Sequence, residues 1–314
     1  MIIKETGKIS DGLYVIGSPA APVYLLDGPA PVIFDGGFTA LSLQYETGIK
    51  AVLGTRKPEY LFLTHSHFDH VGAVSHFKAI WPGLRIGGSG SCREILSKQS
   101  AIQLIKRLSC EGTRNFKRMN VHPLDETPFK PFDFDILITP DQTIKLSDNL
   151  TVMAVHTPGH TWDFMSYWVP EKKILIASEA VAIYENDGYI QPEFLVDFDA
   201  YRDSLKKIQT LDATVLCAGH HAVFTNSDVM DHITASLEAA HTYLMTTERF
   251  LVQEKGDIDQ TVFRVKAAEW DNRSWPKQPE SAYLLNTRQR VKTIWKRMKI
   301  NPEKDITADI HIRE

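Results

Sequence analysis

Short hydrophobic runs separated by glycine and proline turns characterise the chain up to about residue 216. Their length and their content of β-branched and aromatic residues predict strands, whereas longer segments with apolar residues every three or four positions predict helices. The predicted strands are residues 13–16, 23–26, 32–34, 60–63, 84–87, 136–138, 151–155, 165–169, 174–176 and 215–216. The predicted helices are residues 42–53, 73–80, 92–119 and 200–208. The pattern therefore predicts a fold that mixes β-rich layers with helices.

The pattern changes after residue 228, where no further strand is predicted. Ser227 is placed to cap a long helix that ends near residue 253, and Asp259 is placed to cap a second helix that runs through residue 270. Pro279 fits the first turn of a third helix that runs to residue 298. We therefore predict a domain of mixed strands and helices at residues 1–227 and a helical extension at residues 228–314.

Composition and charge narrow the functional classes. The 314 residues are 43% hydrophobic and 24% charged, with a net charge of −4, so neither nucleic acid nor an anionic membrane is expected as a partner. No apolar run reaches the roughly 20 residues of a membrane span, and the first residues lack a signal-peptide core. The three cysteines form no CxxC pair, which argues against a disulfide framework. We expect a cytoplasmic protein.

A dense group of metal-binding residue types follows the predicted strand at residues 60–63. The stretch LTHSHFDHVG contains His65, His67, Asp69 and His70 within six positions. Alternate residues on an extended segment project to the same side, so His65 and His67 can face one ion while Asp69 and His70 reach a second. Imidazole and carboxylate ligands favour zinc, with iron or manganese as alternatives. The cluster predicts a site for one or two divalent transition-metal ions.

A site with two ions needs more than four ligands, and three further candidates follow other predicted strands. His160 lies in the turn HTPGHTWD, Glu179 in IASEA and His220 in CAGHH. Donors at the exits of strands are held by a rigid sheet, so we expect these three to join the first four. His156 and His221 remain open, either behind a ligand or facing the substrate.

The ordered motifs THxHxDH, TPGHT, an acidic residue after a strand and then GH resemble the metallo-β-lactamase-like hydrolase superfamily. The resemblance covers about residues 8–225 and implies an α+β fold, an αββα sandwich with the metals at one edge of its two sheets. It further implies that His65, His67 and His160 hold one ion, and that Asp69, His70 and His220 hold the other. The superfamily ordinarily bridges the two ions with an aspartate, and Glu179 occupies the matching position. A glutamate is one methylene longer, so bridging and single-ion binding both stay open.

A closer resemblance concerns residues 179–205 and the helical tail, which look like the thioesterase-type effector proteins of bacterial alkylquinolone signalling and their relatives. It implies an acyl-thioester or other ester substrate beneath a helical lid. The tail would then cover the active site.

We therefore expect a metal-dependent hydrolase in which a metal-bound hydroxide attacks an ester-type carbonyl, first of all an acyl-thioester, and Asp69 orients the water and accepts its proton. A lactonase or a phosphodiesterase is an alternative, since the motifs are shared. A regulatory or binding protein that acts through its tail is another. Its protein-binding surface would be the basic residues of the last helix: Arg288, Arg290, Lys292, Lys296, Arg297 and Lys299. A homodimer also stays open.

Overall fold

Two seven-stranded β-sheets form the centre of the protein in a computed structural model, which describes residues 1–274, 277–278 and 280–300. The strands are β1 (Ile2–Ile3), β2 (Gly7–Ser10), β3 (Leu13–Ser18), β4 (Ala21–Leu26), β5 (Val32–Phe34), β6 (Tyr60–Phe62), β7 (Arg85–Ser89), β8 (Ile136–Ile138), β9 (Thr143–Ser147), β10 (Leu150–His156), β11 (Met165–Val169), β12 (Ile174–Ser178), β13 (Ile183–Tyr184), β14 (Ile190–Gln191), β15 (Val215–Ala218) and β16 (Val223–Thr225). The helices are α1 (Ser42–Leu53), α2 (Phe68–Val71), α3 (Val74–Ile80), α4 (Gly90–Leu96), α5 (Gln99–Arg118), α6 (Phe198–Gln209), α7 (Ser227–Gln253), α8 (Ile258–Glu269) and α9 (Glu280–Ile300).

Each sheet is built mainly from one half of the sandwich sequence, except that β1 from the start of the chain joins the second sheet. The first sheet has the order β2-β3-β4-β5-β6-β7-β8, and the second has the order β1-β16-β15-β12-β11-β10-β9. Strands β5 to β8 are parallel, as are β12 and β15, so their carboxyl ends point to a common edge within each sheet. A separate hairpin of β13 and β14 follows β12.

Alternation of side chains along the strands produces three layers of core. Tyr24 on β4 faces the second sheet, where it shares a cluster with Tyr167, whereas its neighbour Leu25 packs beneath helix α1. Likewise Ile176 on β12 faces the first sheet, while Leu175 faces the helices on the far side. Successive residues of a strand point to opposite faces of the sheet, so each sheet has both of its faces buried. The αββα sandwich is confirmed.

The tail helices share a hydrophobic cluster with the second sheet. Tyr243 of α7, Val265 of α8 and Val291 of α9 lie in one buried cluster with Leu216 of β15 and Leu205 of α6. Buried apolar contacts of this kind stabilise by about 1.5–3 kcal/mol per large side chain. The tail is therefore packed on the sandwich. The domain boundary at residue 227 itself stays a prediction.

Several predicted elements differ from the structure. The helix expected at residues 92–119 is two helices, α4 and α5, which are separated at Ser97 and Lys98. Asn226 precedes α7, and Ser227 is its first helical residue, so the Ser227 cap is wrong. Asp257 caps α8 with its side chain, 3.0 Å from the amide of Gln260, so the cap lies two residues before Asp259. Pro279 lies outside the described residues.

The strands β1, β2, β9, β13, β14 and β16 were not expected from the sequence. They are short or largely polar, and pairing with another strand stabilises them: β2, β9 and β13 each pair with the next strand in sequence, whereas Ile2 of β1 pairs with the distant Phe224 of β16. No strand follows residue 228 in the described part of the tail, as predicted. Across the described residues, none of the helices has both the length and the apolar composition that a bilayer crossing needs.

Candidate metal centre

The strand β6 delivers four of the predicted residues to the edge where the two sheets meet. The amide of Met165 donates to the Thr64 carbonyl at 2.8 Å, and the Tyr167 hydroxyl donates to the Leu63 carbonyl at 2.7 Å, so the second sheet holds the exit of β6 directly. His67 is the last extended residue before the single turn of α2. Asp69 and His70 lie within that turn. The chain therefore changes direction inside the cluster, as the predicted separation of His65 and His67 from Asp69 and His70 requires.

Glycine makes this turn possible. An added Cβ at Gly72 would lie 2.5 Å from the carbonyl oxygen of Gly37, closer than real side chains come. The amide of Gly72 donates to that same carbonyl at 2.8 Å. The backbone after the histidine cluster thus packs against the loop that follows β5, and only glycine fits there.

The remaining three residues come from the second sheet. His160 follows β10, Glu179 follows β12 directly and His220 follows β15. Gly159, before His160, has a φ of +129° and lies so close to Tyr201 that an added Cβ would be 2.5 Å from the Tyr201 Cβ. The turn that presents His160 therefore requires glycine.

All seven predicted residues meet at one place. Their donor atoms form three groups, each with its atoms within 4.8 Å of one another: His65, His67 and His160; His65, His70 and Glu179; and Asp69, His70 and His220. Glu179 lies between the other two groups. Its Oε1 is 3.0 Å from His70 Nε2 and 2.9 Å from His220 Nε2, and its Oε2 is 3.9 Å from His65 Nε2. The extra methylene of the glutamate does not remove its carboxylate from the centre.

The burial of the site is uneven. The side chains of His65 and Glu179 are 0% and 3% exposed, whereas those of His220 and Asp69 are 16% and 17% exposed. Phe164 stacks on the His65 ring with centroids 4.6 Å apart, which closes the inner side. The accessible side is therefore the one that carries Asp69 and His220.

Hydrogen bonds fix the outer nitrogens of the histidine rings. His160 Nδ1 donates to the Glu193 carbonyl at 2.5 Å, and His220 Nδ1 donates to the Ala20 carbonyl at 2.8 Å. A carbonyl only accepts, so in both rings Nδ1 carries a proton and Nε2 faces the centre. Partners of this kind orient metal-binding histidines and raise their basicity.

Asp35 anchors the other half of the centre. Its Oδ2 lies 2.9 Å from His70 Nδ1, and its carboxylate accepts the hydroxyl of Thr64. Because that hydroxyl gives its proton to Asp35, its oxygen accepts from His65 Nδ1 at 3.0 Å. One aspartate thus orients two of the rings. We did not predict Asp35, although its place at the exit of β5, in the run FDGG, is the same signal that identified the others.

Charge and burial shift the pKa values in opposite directions. Burial, with the adjacent His67, lowers the pKa of His160 to about 3. Burial also lowers the pKa of His65 well below its usual value. For His220 burial acts in the same direction, but the hydrogen bond and charge of Glu179 outweigh it and raise the pKa to about 9. The neutral rings of His65 and His160 can bind a cation directly. A cation bound by His220 would have to displace a proton from its ring.

One buried atom in the centre has no hydrogen-bond partner. His65 Nε2 is shielded from solvent and makes no hydrogen bond, whereas Glu179 Oε1 lies 3.0 and 2.9 Å from the Nε2 atoms of His70 and His220. Buried polar atoms normally find partners, because leaving one unpaired costs about 1–3 kcal/mol. His65 Nε2 points into the group of donors, where a cation would satisfy it. The residues present therefore fit a divalent metal ion.

Comparison with known proteins agrees with this geometry. Residues 22–220, more than half of the chain, match the family model of the metallo-beta-lactamase superfamily. The chain belongs to that superfamily. The match ends at His220, the last of the seven residues, so the superfamily region contains the whole candidate centre.

Among curated metallo-beta-lactamase relatives, a beta-lactamase-like protein 2 homolog of Caenorhabditis elegans is 27% identical over 80% of this chain and 73% of its own length. An atrochrysone carboxyl ACP thioesterase of Aspergillus fumigatus is 24% identical over 68% of this chain, which spans about half (51%) of that relative. A hydroxyacylglutathione hydrolase of Bartonella henselae is 23% identical over 68% of this chain and 70% of its length. A superfamily structure from Sulfolobus tokodaii, at 16% identity, shares the fold over 92% of this chain and 98% of its own, with a TM-score of 0.59.

The histidines left open by the sequence lie outside the donor groups. His156 Nε2 is 3.2 Å from the carbonyl of Trp162. His221 Nε2 is 3.8 Å from Glu185 Oε2, and burial lowers its pKa to about 4. His221 is thus next to the centre in sequence but turned toward Glu185.

Proposed function

We propose that this protein is a metal-dependent hydrolase that cleaves an acyl-thioester with one or two divalent ions, zinc first and iron or manganese as alternatives. The observation that carries the proposal is the convergence of seven donor side chains on a centre where the buried His65 Nε2 lacks a partner. The superfamily and its hydrolase relatives support the reaction type. The thioesterase among those relatives supports the substrate class.

The residues divide into two sets. His65, His67 and His160 would hold one ion, and Asp69, His70 and His220 the other, with Glu179 between them. A divalent ion, when bound, lowers the pKa of a coordinated water to about 7 and polarises a carbonyl oxygen.

The chain's own contribution to the reaction lies on the accessible side. Asp69 Oδ2 is 3.7 Å from His220 Nε2 and is one of the more exposed donors, so a substrate carbonyl can approach it. Its carboxylate is the proton acceptor in this proposal, because it borders the open side where the attacking water must lie. Asp35 and the carbonyls of Glu193 and Ala20 keep the rings aligned as the charge changes.

We further propose that the tail forms a wall of the substrate pocket. Arg273, which follows α8, donates to Asp187 at 2.9 Å, and Gln191 donates to Gln278 at 3.3 Å. Both contacts hold the segment around β14, which continues to the carbonyl bonded by His160. These contacts support the proposal that the tail shapes the pocket.

The alternative of a protein-binding basic surface on α9 needs a correction. Arg290 is fully buried, and Arg297 pairs with Asp199 and Glu248 at 3.1 and 3.0 Å, so these two residues face the protein. A binding surface on α9 would have to use the other basic residues. A protein partner and a homodimer stay predictions.

A substrate panel tests the proposal. Protein loaded in turn with Zn²⁺, Mn²⁺ and Fe²⁺ is assayed with acyl-thioesters, lactones and phosphodiesters, and the variant Asp69→Asn is assayed beside the parent. We expect the thioesters to be cleaved fastest, and Asp69→Asn to lower kcat by about 10²–10⁴-fold. Preferential cleavage of lactones or phosphodiesters would replace the substrate class, and no turnover of any of the three would favour the regulatory alternative.

A further inference from the structure

The last described helix contacts one short segment of backbone beside the metal centre. This segment, residues 192–195, is called the strap here. Arg290 Nη1 donates to the Pro192 carbonyl at 2.5 Å. Gln289 Nε2 and Thr293 Oγ1 both donate to the Leu195 carbonyl, at 3.0 and 2.7 Å. Three side chains on one face of α9 therefore satisfy the carbonyls of the strap.

The opposite side of the strap holds the turn that presents His160. The amides of Leu195 and Val196 both donate to the Gly159 carbonyl at 3.0 Å, and the Glu193 carbonyl accepts His160 Nδ1 at 2.5 Å. The strap thus has α9 on one side and His160 on the other. A displacement of the strap would rotate the imidazole, because its outer nitrogen is bonded to the strap backbone.

Arg290 is the central contact. Its side chain is 0% exposed, and Glu193, at 1%, lies 3.3 Å from Nη1 through Oε1. Gln191 donates to the same Glu193 oxygen at 2.6 Å, and Thr287 accepts from Arg290 Nη2 at 3.1 Å. Arg290 Nη1 and Nη2 are thus paired, whereas its Nε makes no hydrogen bond. A buried charge is costly to separate from its partners, so these contacts tie the Glu193 side chain and the Pro192 carbonyl to α9.

We propose that Arg290 is a positioning residue for the metal ligand His160, so that α9 of the tail sets the metal affinity of the centre through the strap. The inference rests on the proposed function, since it takes His160 as a ligand. It gives the tail a role in the centre itself, in addition to shaping the pocket.

A double-mutant cycle on zinc affinity tests the proposal. Zn²⁺ binding is measured by competition with a chromophoric chelator for the parent, Arg290→Gln, His160→Ala and the double variant. We expect Arg290→Gln to weaken binding by about 10-fold or more. In the His160→Ala background the same substitution should have almost no further effect, because its route to the metal is gone.

A matched control separates positioning from general loss of stability. Val291→Ala, at the adjacent buried position of α9, removes core volume without touching the strap. It should lower Tm and leave zinc affinity unchanged, whereas Arg290→Lys, which keeps a cationic donor, should recover part of the affinity. Should Arg290→Gln fail to fold, Thr293→Val takes its place, with a smaller loss expected.

Three results would overturn the inference: unchanged zinc affinity in the strap variant, an equal loss in Val291→Ala, or effects that simply add in the cycle. Each would leave the proposed function intact. A parent protein that binds no Zn²⁺ would instead overturn the proposed function, and this inference with it.

Discussion

Adding one methyl group beside Glu179 should disable the metal centre without unfolding the protein. Gly219 precedes His220, and an added Cβ there would lie 2.5 Å from Cδ and 3.0 Å from Oε2 of Glu179. Carbon atoms in contact settle about 3.5–4.0 Å apart, so Gly219→Ala must push the carboxylate away by about 1 Å. The φ of Gly219 is not in the left-handed region, so alanine itself is accommodated by the backbone.

The cost of this movement should fall on the metal rather than on the fold. The carboxylate is the end of a side chain that can rotate, and the contacts it would lose are those with the Ser178 hydroxyl at 2.7 Å and with His70 and His220 at 3.0 and 2.9 Å. Misplacing a carboxylate in a metal site typically weakens metal binding by about 10–100-fold, or roughly 1.4–2.7 kcal/mol. We expect at least that loss, together with a Tm of the metal-free protein within a few degrees of the parent.

The assay is a zinc titration against a chromophoric chelator, with metal content measured by elemental analysis after dialysis. Gly90→Ala is the matched control, since an added Cβ there meets nothing within 4 Å. Gly219→Ala that is folded and binds as many ions as the parent, with the same affinity, would refute the assignment of Glu179 to the centre.

Three other perturbations test separate parts of the account. Glu179→Ala should lose at least one ion and most activity, whereas Glu179→Asp, with the aspartate ordinary for the superfamily, should keep its metal and its activity. If the metal content and activity of Glu179→Asp equal those of the parent, the longer side chain has no tuning role. Deletion of the chain from Ser227 onward should abolish the cooperative unfolding transition in calorimetry, because it exposes the hydrophobic cluster that contains Tyr201 and Phe224. A truncated protein that unfolds cooperatively and cleaves bulky esters would contradict this expectation. Burial lowers the pKa of His232 to about 4, so the free energy of unfolding is highest above about pH 6.5 and falls by up to about 1.4 kcal/mol per pH unit as the pH drops from about 6.5 to 4. Denaturant unfolding of His232→Phe across that range should show a smaller loss of stability toward acid, and a loss identical to that of the parent would count against the lowered pKa.

The sequence by itself determined the choice of residues for the centre. Donor side chains at the ends of predicted strands could be grouped, because parallel strands bring their carboxyl ends to one edge whatever the details of packing. The same reasoning extends to Asp35, which follows β5. A single aspartate before two glycines is also a common turn signal, however, so the sequence alone does not separate the two roles.

The tertiary structure decided how those residues are oriented and what supports them. Which nitrogen of His70 faces the centre depends on Asp35, 35 positions earlier, and the ring of His160 depends on the Glu193 carbonyl, 33 positions later. Arg290 looked like part of an exposed basic helix, yet it is buried against Pro192, 98 positions away. Local periodicity carries no information on such pairs, because a side chain's direction is fixed by neighbours that only the folded chain brings together.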